Sequence, residues 1–170
     1  MAKDLSTTQG WLHNQVGLRV SDLENSISFY EAVLGMQVLG RISGDNLSFA
    51  LLAYSERGGP EKMLNREGVL ELSTSEHTKK SDNHGKQHPE CGVFKLAFAV
   101  PDLSACVARF KAHGARILKE AGTDEGAETV ADALGFEDPR KGNNKAVWEF
   151  IRGVAFALDP DGYVLELIQY

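Results

Sequence analysis

The run Gln15-Val16-Gly17-Leu18-Arg19-Val20-Ser21-Asp22-Leu23 returns 80 positions later as Lys95-Leu96-Ala97-Phe98-Ala99-Val100-Pro101-Asp102-Leu103. The same offset sets Tyr30 on Phe110, and each copy closes on a similar phrase, Gly68-Val69-Leu70-Glu71-Leu72-Ser73 in the first and Gly162-Tyr163-Val164-Leu165-Glu166-Leu167 in the second. A chain that repeats its pattern folds as two related modules. The repeat also isolates four polar positions within apolar strand-like segments: Gln15, Glu71, Lys95 and Glu166.

Trp11 to Val20 reads as a strand, and Ser21-Asp22-Leu23-Glu24 matches the Ser-x-x-Glu box that caps a helix start. Leu23, Ile27, Tyr30 and Leu34 then share one helical face until Gly35 ends the helix. Met36–Ile42, Leu47–Tyr54 and Gly68–Ser73 follow as strands, parted by turn signals and the loop Ser55–Glu67. The order is βαβββ over residues 11–75, after a polar, flexible tail at 1–10. Residues 76–92, with His77, His84 and His88, form a polar connector. The second module, 93–170, repeats the plan: a strand from Val93, a helix after Pro101-Asp102 that Gly114 ends, then strands at Ala115–Lys119, Val154–Leu158 and Tyr163–Gln169. Asp159-Pro160-Asp161-Gly162 supplies the turn before the last strand. One stretch, about 121–150, has no counterpart of similar length in the first module. Its Glu128–Leu134 reads as a short helix and Asp138–Asn144 as a loop, and loops added to a repeated scaffold tend to carry specificity.

The fold class is therefore α+β, two tandem βαβββ modules whose curved mixed sheets surround a central cleft. A chain of 170 residues, 42% apolar, buries a core of ordinary proportions. Its net charge of −6 argues against a nucleic-acid partner, since phosphate backbones call for a basic surface. No apolar run approaches the roughly 20 residues of a membrane span, and the start of the chain lacks an apolar signal region. Two cysteines, Cys91 and Cys106, in no metal or disulfide spacing, fit a reducing compartment. The expectation is a soluble, cytoplasmic protein that handles small molecules. Dinucleotide, phosphate-loop and serine-hydrolase motifs do not occur.

Side chains alternate along a strand, so in Leu70-Glu71-Leu72 and Leu165-Glu166-Leu167 the leucines point one way and the carboxylate the other. A single such Glu ordinarily faces water on a one-sided sheet. Its recurrence in both modules places Glu71 and Glu166, with Gln15 and Lys95, towards one shared cavity. Two carboxylates and an amide oxygen are hard ligands of the kind that hold a divalent metal.

At this point the chain resembles glyoxalase I (lactoylglutathione lyase) and its relatives in the vicinal oxygen chelate superfamily. The resemblance rests on Gly17-Leu18-Arg19-Val20-Ser21-Asp22, Phe29-Tyr30, Val33-Leu34-Gly35-Met36, Leu70-Glu71-Leu72, Ala99-Val100-Pro101-Asp102 and Asp159-Pro160-Asp161-Gly162-Tyr163. It implies a site with four ligands, Gln or His, Glu, His and Glu, for a zinc or nickel ion, and these fall on Gln15, Glu71, Lys95 and Glu166. Three match. Lys95 stands where the family has histidine, and an ammonium has three donors and no lone pair for a metal. Two readings stand: a partial metal site of Gln15, Glu71 and Glu166, with His13 on the same strand face as a substitute ligand, or a site with no metal in which Lys95 takes the ion's place. The resemblance also implies substrate contacts at Arg19 and Lys119, while Ser75 and Cys91 replace an asparagine and an arginine that help hold glutathione. A thiol cannot reproduce an arginine's bidentate clamp.

The function so implied is a lyase or isomerase, a homodimer as the family allows, in which Glu166 moves a proton beside a carbonyl and a metal or Lys95 stabilises the enolate. The substrate is a small carbonyl compound such as a glutathione adduct. The alternatives are the same chemistry on another, bulkier carbonyl metabolite without metal, or a protein of the same fold that binds such a compound without turning it over.

Overall fold

A computed structural model describes residues 8–78, 93, 95–135, 137 and 139–170. Residues 1–7 of the expected tail and residues 79–92 of the connector, with His84, His88 and Cys91, lie outside them.

The first half builds β1 (Gln15–Arg19), α1 (Leu23–Leu34), β2 (Gln37–Ser43), β3 (Leu47–Ala53) and β4 (Val69–Ser75). The second builds β5 (Leu96–Val100), α2 (Leu103–Ala112), β6 (Arg116–Lys119), two inserted helices α3 (Ala127–Leu134) and α4 (Asn144–Ile151), β7 (Ala155–Leu158) and β8 (Val164–Gln169). Each half forms a four-stranded mixed sheet of the same topology, β1-β4-β3-β2 and β5-β8-β7-β6, with the first and last strands of each half parallel. This is the expected α+β architecture of paired βαβββ units.

The alternation predicted for the strands decides which face each sheet buries. Leu18, Val20, Ala50, Leu52, Leu70 and Leu72 pack under Ile27 and Tyr30 of α1. Ala155, Ala157, Leu165 and Leu167 pack under Leu103, Val107 and Phe110 of α2. Each large apolar side chain fully withdrawn here contributes about 1.5–3 kcal/mol. The two cores meet at α1: Phe29 lies edge-on to Phe110, and Arg109 of α2 donates to the Val33 carbonyl at 2.8 Å and to that of Ala32.

The turn between β7 and β8 does more than reverse the chain. Asp159 accepts hydrogen bonds from the Tyr30 hydroxyl (2.9 Å) and from the N–H groups of Asp161 and Tyr163. Asp161 accepts from the Ser21 N–H and the Ser26 hydroxyl, and the Tyr163 hydroxyl donates to the Arg19 carbonyl. The last turn of the second half is thus the joint to the first. Burial raises the Asp159 carboxyl to about 6, against the opposing hydrogen bonds from Tyr163 and Tyr30 and with the help of the Asp161 charge.

Three local expectations change. β1 starts at Gln15, and Trp11 and Leu12 stay exposed outside it. The cap of α1 is Asp22, whose carboxylate accepts from the Asn25 N–H at 3.0 Å, rather than Ser21; the Ser21 N–H is held by Asp161 instead, and Glu24 pairs with Arg41. An anionic cap one residue closer to the helix suits its positive N-terminal end better than a hydroxyl. The equivalent Asp102 caps α2 in the same way. In the insertion, the short helix is present as α3, and α4 is a second one that the sequence reading did not include.

Candidate active site

Parallel pairing of β1 with β4 sets Gly17 opposite Glu71, and pairing of β5 with β8 sets Ala97 opposite Glu166. Gln15 and Lys95 each precede those partners by two residues, on the same face. The four predicted positions therefore come as two equivalent pairs, one per sheet. Gln15 Nε2 donates to Glu71 Oε2 at 2.7 Å, and Lys95 Nζ donates to Glu166 Oε2 at 2.5 Å. The flanking leucines of each Glu are buried on the opposite face, as alternation requires.

The pairs differ in setting. Gln15 is exposed and Glu71 half-buried, whereas Glu166 is only 5% exposed and its Lys95 partner partly so. The transverse row through each carboxylate explains why. In the first sheet it reads Gly17, Glu71, Leu51, Gly40, and in the second Ala97, Glu166, Phe156, Lys119. A bulge sits at the same place in both, between Val38 and Gly40 and between Ile117 and Lys119. Phe156 is fully buried beside Glu166, in one cluster with Val164, Leu118 and the inserted residues Ala127, Val130, Trp148 and Ile151. The insertion therefore lies on the face that carries Glu166.

Arg19 is exposed at the end of β1, on the face of Gln15. Lys119 behaves otherwise than a ligand-binding cation: it is 2% exposed, and its ammonium donates to the carbonyls of Glu120, Arg152 and Val154 at 2.8–2.9 Å. All three donors are engaged, and none is left for a ligand. Its ordinary value is lowered by burial, which outweighs the opposing pull of Asp124. Ser75 closes β4 in a contact with Thr78. His13 is exposed just ahead of β1. A cavity of about 400 Å³ between β1 and β5 is walled by Val16, Val69, Leu96, Ala97 and Phe98 rather than by the four polar positions.

As donors, these residues offer an amide oxygen and two carboxylates, one of them bonded to an ammonium. A divalent ion needs a lone pair where Lys95 presents protons, so this set does not fit a four-ligand metal centre. Among the described residues no three His, Cys, Asp or Glu side chains gather in a way that would hold an ion. What the Lys95–Glu166 pair offers is a carboxylate base next to a fixed positive charge, in partial shelter from water. Sequence reasoning missed Phe156 and Trp148, which give that shelter; the spacing of Trp148 and Ile151 was the available signal for α4.

The family model of the glyoxalase/bleomycin resistance protein/dioxygenase superfamily matches residues 13–167. A lactoylglutathione lyase of Pseudomonas aeruginosa is 30% identical, over 95% of this chain and 84% of that protein. Glyoxalase I of Saccharomyces cerevisiae is 27% identical over 94% of this chain but only 45% of its own length, so the chain spans about half of that relative. Among solved structures, the trypanothione-dependent glyoxalase I of Leishmania major superposes with a TM-score of 0.59 at 26% identity, over 94% of this chain and 86% of that one.

Proposed function

From its membership of the glyoxalase/bleomycin resistance protein/dioxygenase superfamily, to which the chain belongs, we propose that this protein is a lyase or isomerase that moves a proton from the carbon beside a carbonyl to the carbonyl carbon itself. The Lys95–Glu166 pair, 2.5 Å apart with its carboxylate buried, is the observation that carries the reading. A bound carbonyl oxygen takes the Lys95 ammonium as hydrogen-bond partner and so releases Glu166 Oε2. Glu166 removes the proton from the adjacent carbon, and the C–H electron pair moves into the enolate whose oxygen the ammonium stabilises. The hydroxyl proton on the carbon that lost its hydrogen passes to the former carbonyl oxygen. Glu166, now neutral, returns its proton to the former carbonyl carbon while the electron pair left on the hydroxyl oxygen forms the new carbonyl. A positioned base contributes about 10²–10⁴-fold and a fixed donor at the oxyanion about as much.

The relatives' names point to a hemithioacetal of methylglyoxal and a thiol as the first substrate to try, with other α-hydroxy carbonyl compounds after it. Glu71 and Gln15 then hold the substrate from the other sheet, and Arg19 meets its anionic end. β1 and β5, which carry the approach to Gln15 and Lys95, are terminal strands of their sheets. A homodimer that sets two chains edge to edge brings one chain's Gln15–Glu71 pair against its partner's Lys95–Glu166 pair, and this reading takes that dimer as the working form, in the cytoplasm. The test is exchange of substrate C–H for solvent deuterium with the methylglyoxal–glutathione hemithioacetal, run with elemental analysis of the same sample. Exchange without stoichiometric metal supports the reading. Absence of exchange with every hemithioacetal and α-hydroxy ketone tried leaves a binding protein, and exchange that tracks one zinc or nickel per site overturns the role given to Lys95.

A further inference from the structure

The insertion has a closed neck. Its two ends meet where the Gly122 N–H donates to the Arg152 carbonyl at 2.9 Å. Lys119 ties the same neck from below, bonding Glu120 on the way out and Arg152 and Val154 on the way back. Its ammonium also lies 5.4 Å from the Trp148 ring centroid, within cation–π range. Trp148 in turn donates to Asp124 at 3.0 Å, and Asp124 pairs with Arg152. Gly126, at φ 83°, lets the chain pass so close to Leu118 that a Cβ there would stand 2.1 Å from the Leu118 carbonyl oxygen. Lys119 and Gly126 fasten the insertion to β6, while the Gly122, Asp124, Trp148 and Arg152 contacts hold its two ends to one another.

What the insertion covers is specific. Phe156 is the cross-strand neighbour of Glu166, and Val164 stands two residues before it on the same strand face. Both lie under Val130, Trp148 and Ile151. The matching place in the first sheet, around Leu51, is met, among the described apolar residues, by Leu39, Ala53, Val69 and Met63. A substrate whose reacting carbon sits at Glu166 has no room to extend along β7 and β6, and its remaining length must run over the first sheet instead.

We propose that Lys119 is a positioning residue that pins the α3–α4 cap over the apolar face beside Glu166, and that this cap sets specificity by refusing substrates with a long apolar group on that side. The proposal deepens the proton-transfer reading and rests on it for the identity of the reacting end. It is tested by binding and by amide exchange, neither of which needs turnover. Two full-chain variants are compared with the parent: Lys119→Met, and an excision in which residues 123–151 are replaced by two glycines across the Gly122–Arg152 contact. In the ligand-free protein, Lys119→Met speeds hydrogen exchange across residues 127–134 and 144–151 at least tenfold while β1 to β4 stay unchanged. By calorimetry, the ratio of affinities for S-hexylglutathione over S-methylglutathione rises at least tenfold in the excised protein, because the hexyl chain gains the face of Phe156, Val164 and Leu118. In Lys119→Met the ratio moves a few-fold in the same direction, a change that a purely structural role would not produce. Unaltered exchange in Lys119→Met, or an unaltered ratio after excision, overturns the proposal. Should Lys119→Met fail to fold, the excised protein, which keeps the neck but has no cap to pin, decides by its ratio alone. Failure of the proton-transfer reading registers separately, as absent deuterium exchange in the parent.

Discussion

Two sheets of one topology carry the same carboxylate in the same register, yet one carboxylate is half open to water and the other is closed in. The row Gly17, Glu71, Leu51, Gly40 ends in a residue without a side chain that packs against Met63: a Cβ on Gly40 would stand a tight 3.1 Å from the Met63 sulfur. The row Ala97, Glu166, Phe156, Lys119 ends in a long cation that reaches up to hold a cap. Each half also fastens its own added segment with a buried cation. Arg66 donates to the carbonyls of Gly58 and Tyr54, closing the loop between β3 and β4, as Lys119 closes the loop between β6 and β7. The difference teaches that duplication fixes the backbone and the polar rows, while the loops decide which row is wet. An open half suits holding a substrate, and a closed half suits proton chemistry, where a dry surrounding strengthens the ammonium's hold on an enolate.

That division of labour predicts unequal losses. Replacing Glu166 by Gln lowers deuterium exchange about 10²–10⁴-fold, whereas Glu71→Gln lowers it far less and acts mainly through KM, a split read from initial rates over a range of substrate concentrations. Equal effects on kcat at the two positions would mean that the halves share the chemistry. Packing gives the next contrast. Phe156→Ala, beneath the cap, costs about 3–5 kcal/mol in urea unfolding, and Leu51→Ala, in its smaller cluster, about 2–3 kcal/mol.

The joint between the halves adds a pH term. Asp159 titrates near 6 in the folded protein and near the ordinary carboxylate value when unfolded, so between about pH 4 and 6 the folded state holds the additional proton. Stability from this group therefore falls as pH rises through that window and levels off above it. The fall amounts to roughly 2–3 kcal/mol. Asp159→Asn removes it, which denaturant titrations of both proteins at pH 4, 5, 6 and 7 will measure by difference. The smallest effect concerns Lys95. Lys95→His supplies a lone pair and removes the ion pair, and calorimetric titration with zinc or nickel gains about tenfold in affinity over the parent. A parent that already binds tightly, with no gain from histidine, would show that another group such as His13 completes a centre.

Much of this was readable from residue order alone. The repeat announced two modules, and the alternation around Glu71 and Glu166 placed both carboxylates on the face away from the leucines. Gln15 and Lys95 followed from the offset, and each meets its own carboxylate. The cap on α1 was misplaced by one residue because a local motif, Ser-x-x-Glu, competed with a long-range partner: Asp161, 140 positions away, takes the Ser21 N–H. Lys119 was equally opaque. Its engagement depends on carbonyls at 152 and 154, brought near only when the insertion folds back, and no spacing within β6 encodes that. α4 escaped because its apolar residues Val147 and Phe150 face outward beside the buried Trp148 and Ile151, which blurs the one-sided stripe that marks a helix.

The turn from Asp159 to Tyr163 carries a further consequence, for how the molecule comes apart. Its carboxylates and its tyrosine bind Ser21, Ser26, Tyr30 and the Arg19 carbonyl, so β8 cannot leave its sheet without stripping α1 of partners in the other. Two halves that look separable by topology are thereby coupled into one cooperative unit. Heating is expected to yield a single calorimetric transition whose van't Hoff and calorimetric enthalpies agree, and either half cut from the chain is expected to lose its near-ultraviolet circular dichroism.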